Sequence, residues 1–119
     1  MIPELTDKNW NKEIEGVQKP VFIDFYSPMC GPCNELGQFL DNNLLHYAKT
    51  KDVLVFKCNV SKNPKIADKF KIQSVPFTIG IKKGKFVHPN IGLQGPDYYY
   101  GVIDKLAKTD DKKRFFGLF

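Results

Sequence analysis

The 119-residue chain has only three cysteines, an odd number and too few for a disulfide scaffold. It lacks any apolar run near the ~18 residues that span a bilayer. The best stretch, Val21 to Tyr26, is interrupted by Asp24. The opening Met-Ile-Pro-Glu-Leu-Thr-Asp-Lys-Asn-Trp has no basic start followed by an apolar stretch, so no secretory leader is visible and a cytoplasmic, reducing setting is expected. Internal repeats and Ser/Pro/Gly-rich linkers are missing as well. Positive charge exceeds negative only modestly, 18 Lys and Arg against 13 Asp and Glu. Three of those cations, Lys112, Lys113 and Arg114, fall in the last eight residues, which carry no acid. The rest stands at +2. Such a near-neutral body lacks the clustered cations and interleaved aromatics of a nucleic-acid face, and pairs such as Lys82 and Lys83 read as solvated turns.

What is present suits one compact domain. With 42% hydrophobic and 26% charged residues, a chain of this length can bury a core without metal or disulfide staples. Residues 1–108 form the expected domain, a monomer, and 109–119 a basic and aromatic tail. Leu5, Trp10, Ile14 and Val17 recur at helical spacing, with Thr6 or Asp7 as cap and Gly16 near the stop. Val21 to Tyr26 reads as a strand between Pro20 and Ser27-Pro28. From Cys33 to about Lys49, the positions Leu36, Phe39, Leu40, Leu44, Tyr47 and Ala48 predict one long helix, with Pro32 suiting its first turn. Val53 to Val60 reads as a second strand, and Asn63-Pro64 opens a short helix to about Phe70. Phe77 to about Ile81 and Lys85 to His88 predict strands joined by a turn at Lys83-Gly84. Gly95-Pro96 starts a last helix faced by Tyr99, Val102, Ile103 and Leu106. The order αβαβαββα implies a mixed sheet, since strand-helix-strand favours a parallel pair and the close turn at Gly84 demands an antiparallel one. An α/β fold with helices on both faces of a central sheet is the expectation.

Cys30-Gly31-Pro32-Cys33 stands where a strand ends and a helix begins. Cys30, ahead of the first turn, meets the positive end of the helix dipole and its unpaired N–H groups, which favour thiolate. It is the expected nucleophile, and Cys33, one turn in, is placed to attack the mixed disulfide formed there. A structural disulfide and a zinc site are the competing readings. So short a loop removes little unfolded-state entropy, and zinc would need Cys58, His46 or His88, none in a second close pair. Cys58 reads as a buried small hydrophobe and neither histidine is assigned a role. Asp24 lies in an apolar strand on the face shared by Phe22 and Tyr26. Burial would raise its pKa toward that of a proton acceptor for Cys33, unless it sits at a sheet edge or is satisfied by Lys57. A cis bond at Val75-Pro76, which pattern alone does not establish, would free the polar groups of Val75 for an extended substrate segment.

Val21 to Tyr26 followed by Cys-Gly-Pro-Cys, then Phe56-Lys57-Cys58-Asn59-Val60, Val75-Pro76-Phe77 and Ile91-Gly92, in this order and spacing, resembles the thioredoxin family over roughly residues 5 to 107. The resemblance implies a thioredoxin fold and dithiol–disulfide exchange that reduces protein disulfides, with no cofactor beyond the redox-active Cys30–Cys33 pair. It implies Cys30 as nucleophile, Cys33 as resolving cysteine, Asp24 as buried proton acceptor with Lys57 nearby, and Pro76 as the cis-proline. Met29, Gly31, Pro32, Val75, Ile91 and Gly92 fall where the family has its substrate groove. It also implies a thioredoxin reductase-like, NADPH-dependent flavoprotein as electron donor.

The departures bear on substrate choice and reductase recognition. Met29, after Pro28, stands where the family usually has tryptophan, and Tyr26 replaces another frequent tryptophan. Phe77 replaces the usual threonine. Gln38 replaces a helix-kinking proline and predicts a straighter long helix. Pro32 in place of the histidine common in oxidising relatives disfavours a net oxidant or isomerase. A binding or scaffold module that keeps the fold, with the redox pair secondary, is the alternative function. For the tail, Phe115, Phe116 and Phe119 beside three cations suit packing on the domain, fraying, or contact with a partner or membrane surface.

Overall fold

In the computed structural model, which describes residues 1–109, the chain runs through α1 (Trp10–Ile14), β1 (Val21–Tyr26), α2 (Gly31–Phe39), a π-helical turn (Leu40–Leu44), α3 (Leu45–Thr50), β2 (Leu54–Asn59), α4 (Pro64–Lys69), β3 (Phe77–Lys82), β4 (Lys85–Ile91) and α5 (Pro96–Ala107). The segment from Asp110 to Phe119, with its basic and aromatic residues, lies outside the described residues. β1 pairs parallel with β2 and antiparallel with β3, and β3 turns at Lys83-Gly84 into β4. Both turn residues have positive φ, 53° and 76°, the twist a two-residue hairpin loop needs. The sheet order is β2-β1-β3-β4, which is the mixed sheet implied by the element order.

Alternation along β1 divides the interior in two. Val21, Ile23 and Phe25 pack with Trp10, Ile14, Phe56, Cys58 and Ile66 under α1 and α4. Phe22 faces the other way, joining Leu36, Leu40 and Leu44 from the long helical stretch and Val102, Ile103 and Leu106 from α5. Gly80, opposite Phe22 on β3, lets α5 come close, because a Cβ there would lie 2.8 Å from Leu106 Cδ2. Asp24 shares the Phe22 face, and β1 is central, so the carboxyl has no sheet edge to escape to.

Three elements differ from the sequence reading, each because tertiary contacts override local pattern. The first helix is only Trp10–Ile14, and Leu5 lies in an extended segment whose N–H donates to the Lys57 carbonyl at 2.7 Å. Thr6 caps the turn before α1, its Oγ1 accepting from the Asn9 N–H at 3.1 Å. Asp7 caps α4 instead, accepting from Ile66 N–H at 2.9 Å and Lys65 N–H at 3.1 Å. The long helix is not one unbroken α-helix, since a π-turn follows Gln38 and Phe39. Leu36, Leu40, Leu44 and Ala48 are spaced by four, and in an α-helix each such step drifts by about 40° around the axis. The wider π-turn takes up that drift, and all four side chains stay buried. β4 continues past His88 to Ile91 although His88 has φ 56° and Pro89 follows. An edge strand tolerates both, with a register shift opposite Thr78 and Gly80.

Candidate active site

Cys30 closes the loop after β1 and is the N-cap of α2, with extended backbone at φ −102° and ψ 112°. Pro32 lies in the first turn, where its missing N–H costs no hydrogen bond. The Cys33 N–H donates to Cys30 Sγ at 3.2 Å, so the sulfur takes the capping position usually held by a Ser or Asp oxygen. A negative sulfur is favoured there by that donor and by the helix dipole together. The two sulfurs are bonded as a disulfide across Cα atoms 5.2 Å apart. Cys30 is half-buried, whereas Cys33 is 3% exposed.

Opposite Cys30, the Val75–Pro76 peptide is cis and the Val75 carbonyl oxygen lies 3.7 Å from Cys30 Sγ. The extension of β4 brings Ile91 beside Phe77, and the Gly92 N–H donates to the Pro76 carbonyl at 2.8 Å. Gly92 has φ 94°, a conformation glycine adopts without steric cost. Met29, Gly31, Pro32, Val75, Ile91 and Gly92 therefore border one end of the sheet around Cys30. Met29, next to Cys30 in the chain, is 95% exposed, and Ile91, paired with Phe77, is 67% exposed.

Asp24 lies deeper, on the sheet face covered by α2, and is 2% exposed. Burial pushes its carboxyl from 3.8 up to about 7, against the lowering pull of Lys57 and with a further push from Glu4. Lys57 is its neighbour across the β1–β2 register, but the ion pair that Lys57 makes is with Glu4, at 3.9 Å. Two residues absent from the sequence reading belong to this surround. Glu4 is one, and no local spacing marks it. Thr78 is the other, directly opposite Asp24 on β3 and 1% exposed. Strand alternation from Phe77 could have found it. Thr78 Oγ1 and Asp24 Oδ1 are both buried without a hydrogen-bond partner among the described residues.

An unpaired buried hydroxyl contributes nothing that a methyl would not. Thr78→Val is therefore expected to hold stability level or raise it by about 1–2 kcal/mol. Urea unfolding at a pH below 7 would check this, and a loss larger than about 1 kcal/mol would show a bonded hydroxyl.

Cys58 stays apart from the pair, fully buried on the opposite face of the sheet among the α1 and α4 contacts. Burial is the main cause that pushes its thiol up to about 12. Among the described residues, no three His, Cys, Asp or Glu side chains are grouped to hold a metal ion.

A family model described as Thioredoxin matches residues 1–105. The chain belongs to the thioredoxin family. It is 38% identical over 102 residues to a thioredoxin of Chlorobaculum thiosulfatiphilum, covering 86% of this chain and 93% of that protein. A thioredoxin of Alicyclobacillus acidocaldarius is 39% identical over 90 residues, covering 76% of this chain and 83% of its own. Among solved structures, a thioredoxin of Malassezia sympodialis superposes with a TM-score of 0.78 over 91% of this chain and 92% of that one, at 23% identity, which speaks for the fold. Like other thioredoxins, the chain is a dithiol–disulfide oxidoreductase, and Cys30 and Cys33 are its bonded pair.

Proposed function

We propose that the chain reduces disulfides in other proteins and is itself re-reduced by a thioredoxin reductase-like flavoprotein that draws on NADPH. The observation that carries this reading is the half-buried Cys30 sulfur, capping a helix, bonded to Cys33 and bordered by the cis Val75–Pro76 peptide. In the dithiol form, the Cys30 thiolate attacks one sulfur of a substrate disulfide. The substrate S–S bond breaks, a Cys30–substrate bond forms, and one substrate thiolate leaves. Asp24 then takes the proton of Cys33, whose thiolate attacks Cys30 Sγ and expels the second substrate thiolate. Two electrons have passed to the substrate, and the chain is left in the disulfide form.

The carbonyl of Val75 faces the substrate side, where an extended segment can pair with it as an added strand does. Pro76 fixes that turn, and Lys57 moderates the charge on Asp24. We place the protein in the cytosol, where a reducing pool keeps the pair in its dithiol form. No helix among the described residues is long and apolar enough to cross a membrane.

Reduction of insulin, followed by turbidity as the B chain precipitates, tests this function. Dithiothreitol with catalytic amounts of the protein is expected to shorten the lag, and NADPH with a thioredoxin reductase is expected to replace dithiothreitol. No acceleration by either donor, together with partner binding that survives loss of both cysteines, would favour the scaffold alternative instead.

A further inference from the structure

We infer that Glu4 is a positioning residue of the exchange site, one that holds Lys57 away from Asp24 and so keeps the proton acceptor from being locked into an ion pair. The inference rests on the reading of Asp24 as proton acceptor. Its first support is backbone geometry. The Lys57 N–H donates to the Pro3 carbonyl at 3.0 Å and the Leu5 N–H donates to the Lys57 carbonyl at 2.7 Å. This parallel bridge places Glu4 beside Lys57 on the outer edge of the sheet. The side chains complete it. Glu4 Oε2 accepts from the Tyr26 hydroxyl at 2.6 Å and lies 3.9 Å from Lys57 Nζ. Lys57 Nζ also sits 5.7 Å from the centre of the Tyr26 ring. One carboxylate oxygen thus gathers the phenol and the ammonium, while Asp24 Oδ1 has no hydrogen-bond partner among the described residues.

Several elements face Asp24. β2 brings Lys57, the segment ahead of α1 brings Glu4, and β1 itself brings the Tyr26 phenol two residues on. β3 brings the neutral Thr78, α2 covers this face through Leu36, and α5 brings Tyr99, whose hydroxyl oxygen accepts from the Gln94 N–H at 3.0 Å. Lys57 is the only cation of this set, so where its ammonium rests decides how strongly Asp24 is held charged. A charge pair gains steeply as its separation shrinks in a low-dielectric site. Glu4 acts twice: it draws the ammonium outward, and it adds a negative charge of its own. Both favour a carboxyl at Asp24 that still binds a proton near neutral pH.

Glu4→Gln tests this. Glutamine keeps an acceptor for Tyr26 and leaves the Pro3–Leu5 bridge intact. The readout is the pH profile of the resolving step, measured in a single turnover as release of substrate thiol from a mixed disulfide preformed at Cys30. The acidic limb is expected to move down by about 0.5–1 pH unit, so that near pH 6 the variant resolves roughly two- to fivefold faster than the parent. Glu4→Ala, which removes both contacts, should shift the limb in the same direction. In a Lys57→Met background the shift should shrink to half or less, and in an Asp24→Asn background it should vanish. An unmoved limb in both Glu4 variants, or a shift toward higher pH, overturns the role of Glu4 alone. A parent profile identical to that of Asp24→Asn overturns the acceptor reading itself.

Discussion

Cys33→Ser is expected to accumulate mixed disulfides with substrate proteins, and Cys30→Ser is expected to trap almost none. The half-buried Cys30 sulfur can meet a substrate disulfide, while Cys33 is only 3% exposed and can meet little besides Cys30. Removing the second thiol lets attack proceed and blocks release, because a serine hydroxyl does not displace a sulfur at neutral pH. Removing the first takes away the thiolate favoured by the helix terminus. The serine at position 30 would still cap α2, so a missing adduct would report lost chemistry rather than a lost helix. Non-reducing gels of both variants incubated with cell extract, repeated after a reductant wash, read the outcome. Trapping on the order of tenfold or more in favour of Cys33→Ser is expected from the loss of a reactive thiolate. Equal trapping, or more by Cys30→Ser, would reverse or share the roles.

Asp24→Asn should be more stable than the parent near pH 8 and no more stable near pH 3. The folded protein holds the Asp24 proton up to about pH 7, whereas the unfolded chain releases it near 3.8. Between those values the native state binds more protons than the unfolded one, so stability falls as pH rises through that window and stays at its lower level above it. A displacement of this size corresponds to on the order of 4 kcal/mol at full extent. Asparagine is neutral throughout and escapes the decline. Activity moves in the opposite direction: with no carboxylate to take the Cys33 proton, release of product near neutral pH should slow by roughly 10- to 100-fold. Urea unfolding of the disulfide forms across the pH range measures the first effect, and single-turnover release the second. Parallel stability curves would show that Asp24 titrates normally, and equal release rates at every pH would remove it from the mechanism.

Much of this site is legible from the sequence because it is written in local terms. A strand of six residues, a turn and a proline in the next helical turn place Cys30 at a helix terminus, and period-two alternation puts Asp24 under that helix. The β1–β2 register that sets Lys57 opposite Asp24 follows once both strands are correctly bounded. What is illegible depends on residues far apart in the chain. Leu5 fits a helical period as well as it fits the extended segment it occupies, and only its bond to Lys57 decides between them. Asp7 looks like a cap for the helix that follows it and caps α4 instead. The expected strand ends at His88, yet His88 and Pro89 sit on an edge where one side of the strand has no partner to lose, and the strand runs on to pair Ile91 with Phe77. Leu36, Leu40, Leu44 and Ala48 look like a plain helical stripe, and their spacing of four is the faint mark of the π-turn.

The capping of α4 by Asp7 also orders events during synthesis. The bonds from Asp7 to Lys65 and Ile66 span 58 and 59 residues, and the Pro3 and Leu5 bonds to Lys57 span more than 50. At translation rates of roughly 5–20 residues per second, Pro3, Leu5 and Asp7 wait for seconds before their partners exist. The helix pattern of α2 and α3 is local and can form in that interval, whereas the segment carrying Glu4 can dock only after β2 and the start of α4 have been made. The segment from Pro3 to Asp7 thus finds its native place only once β2 and the start of α4 exist, and the seam it closes is the one that sets the surround of Lys57.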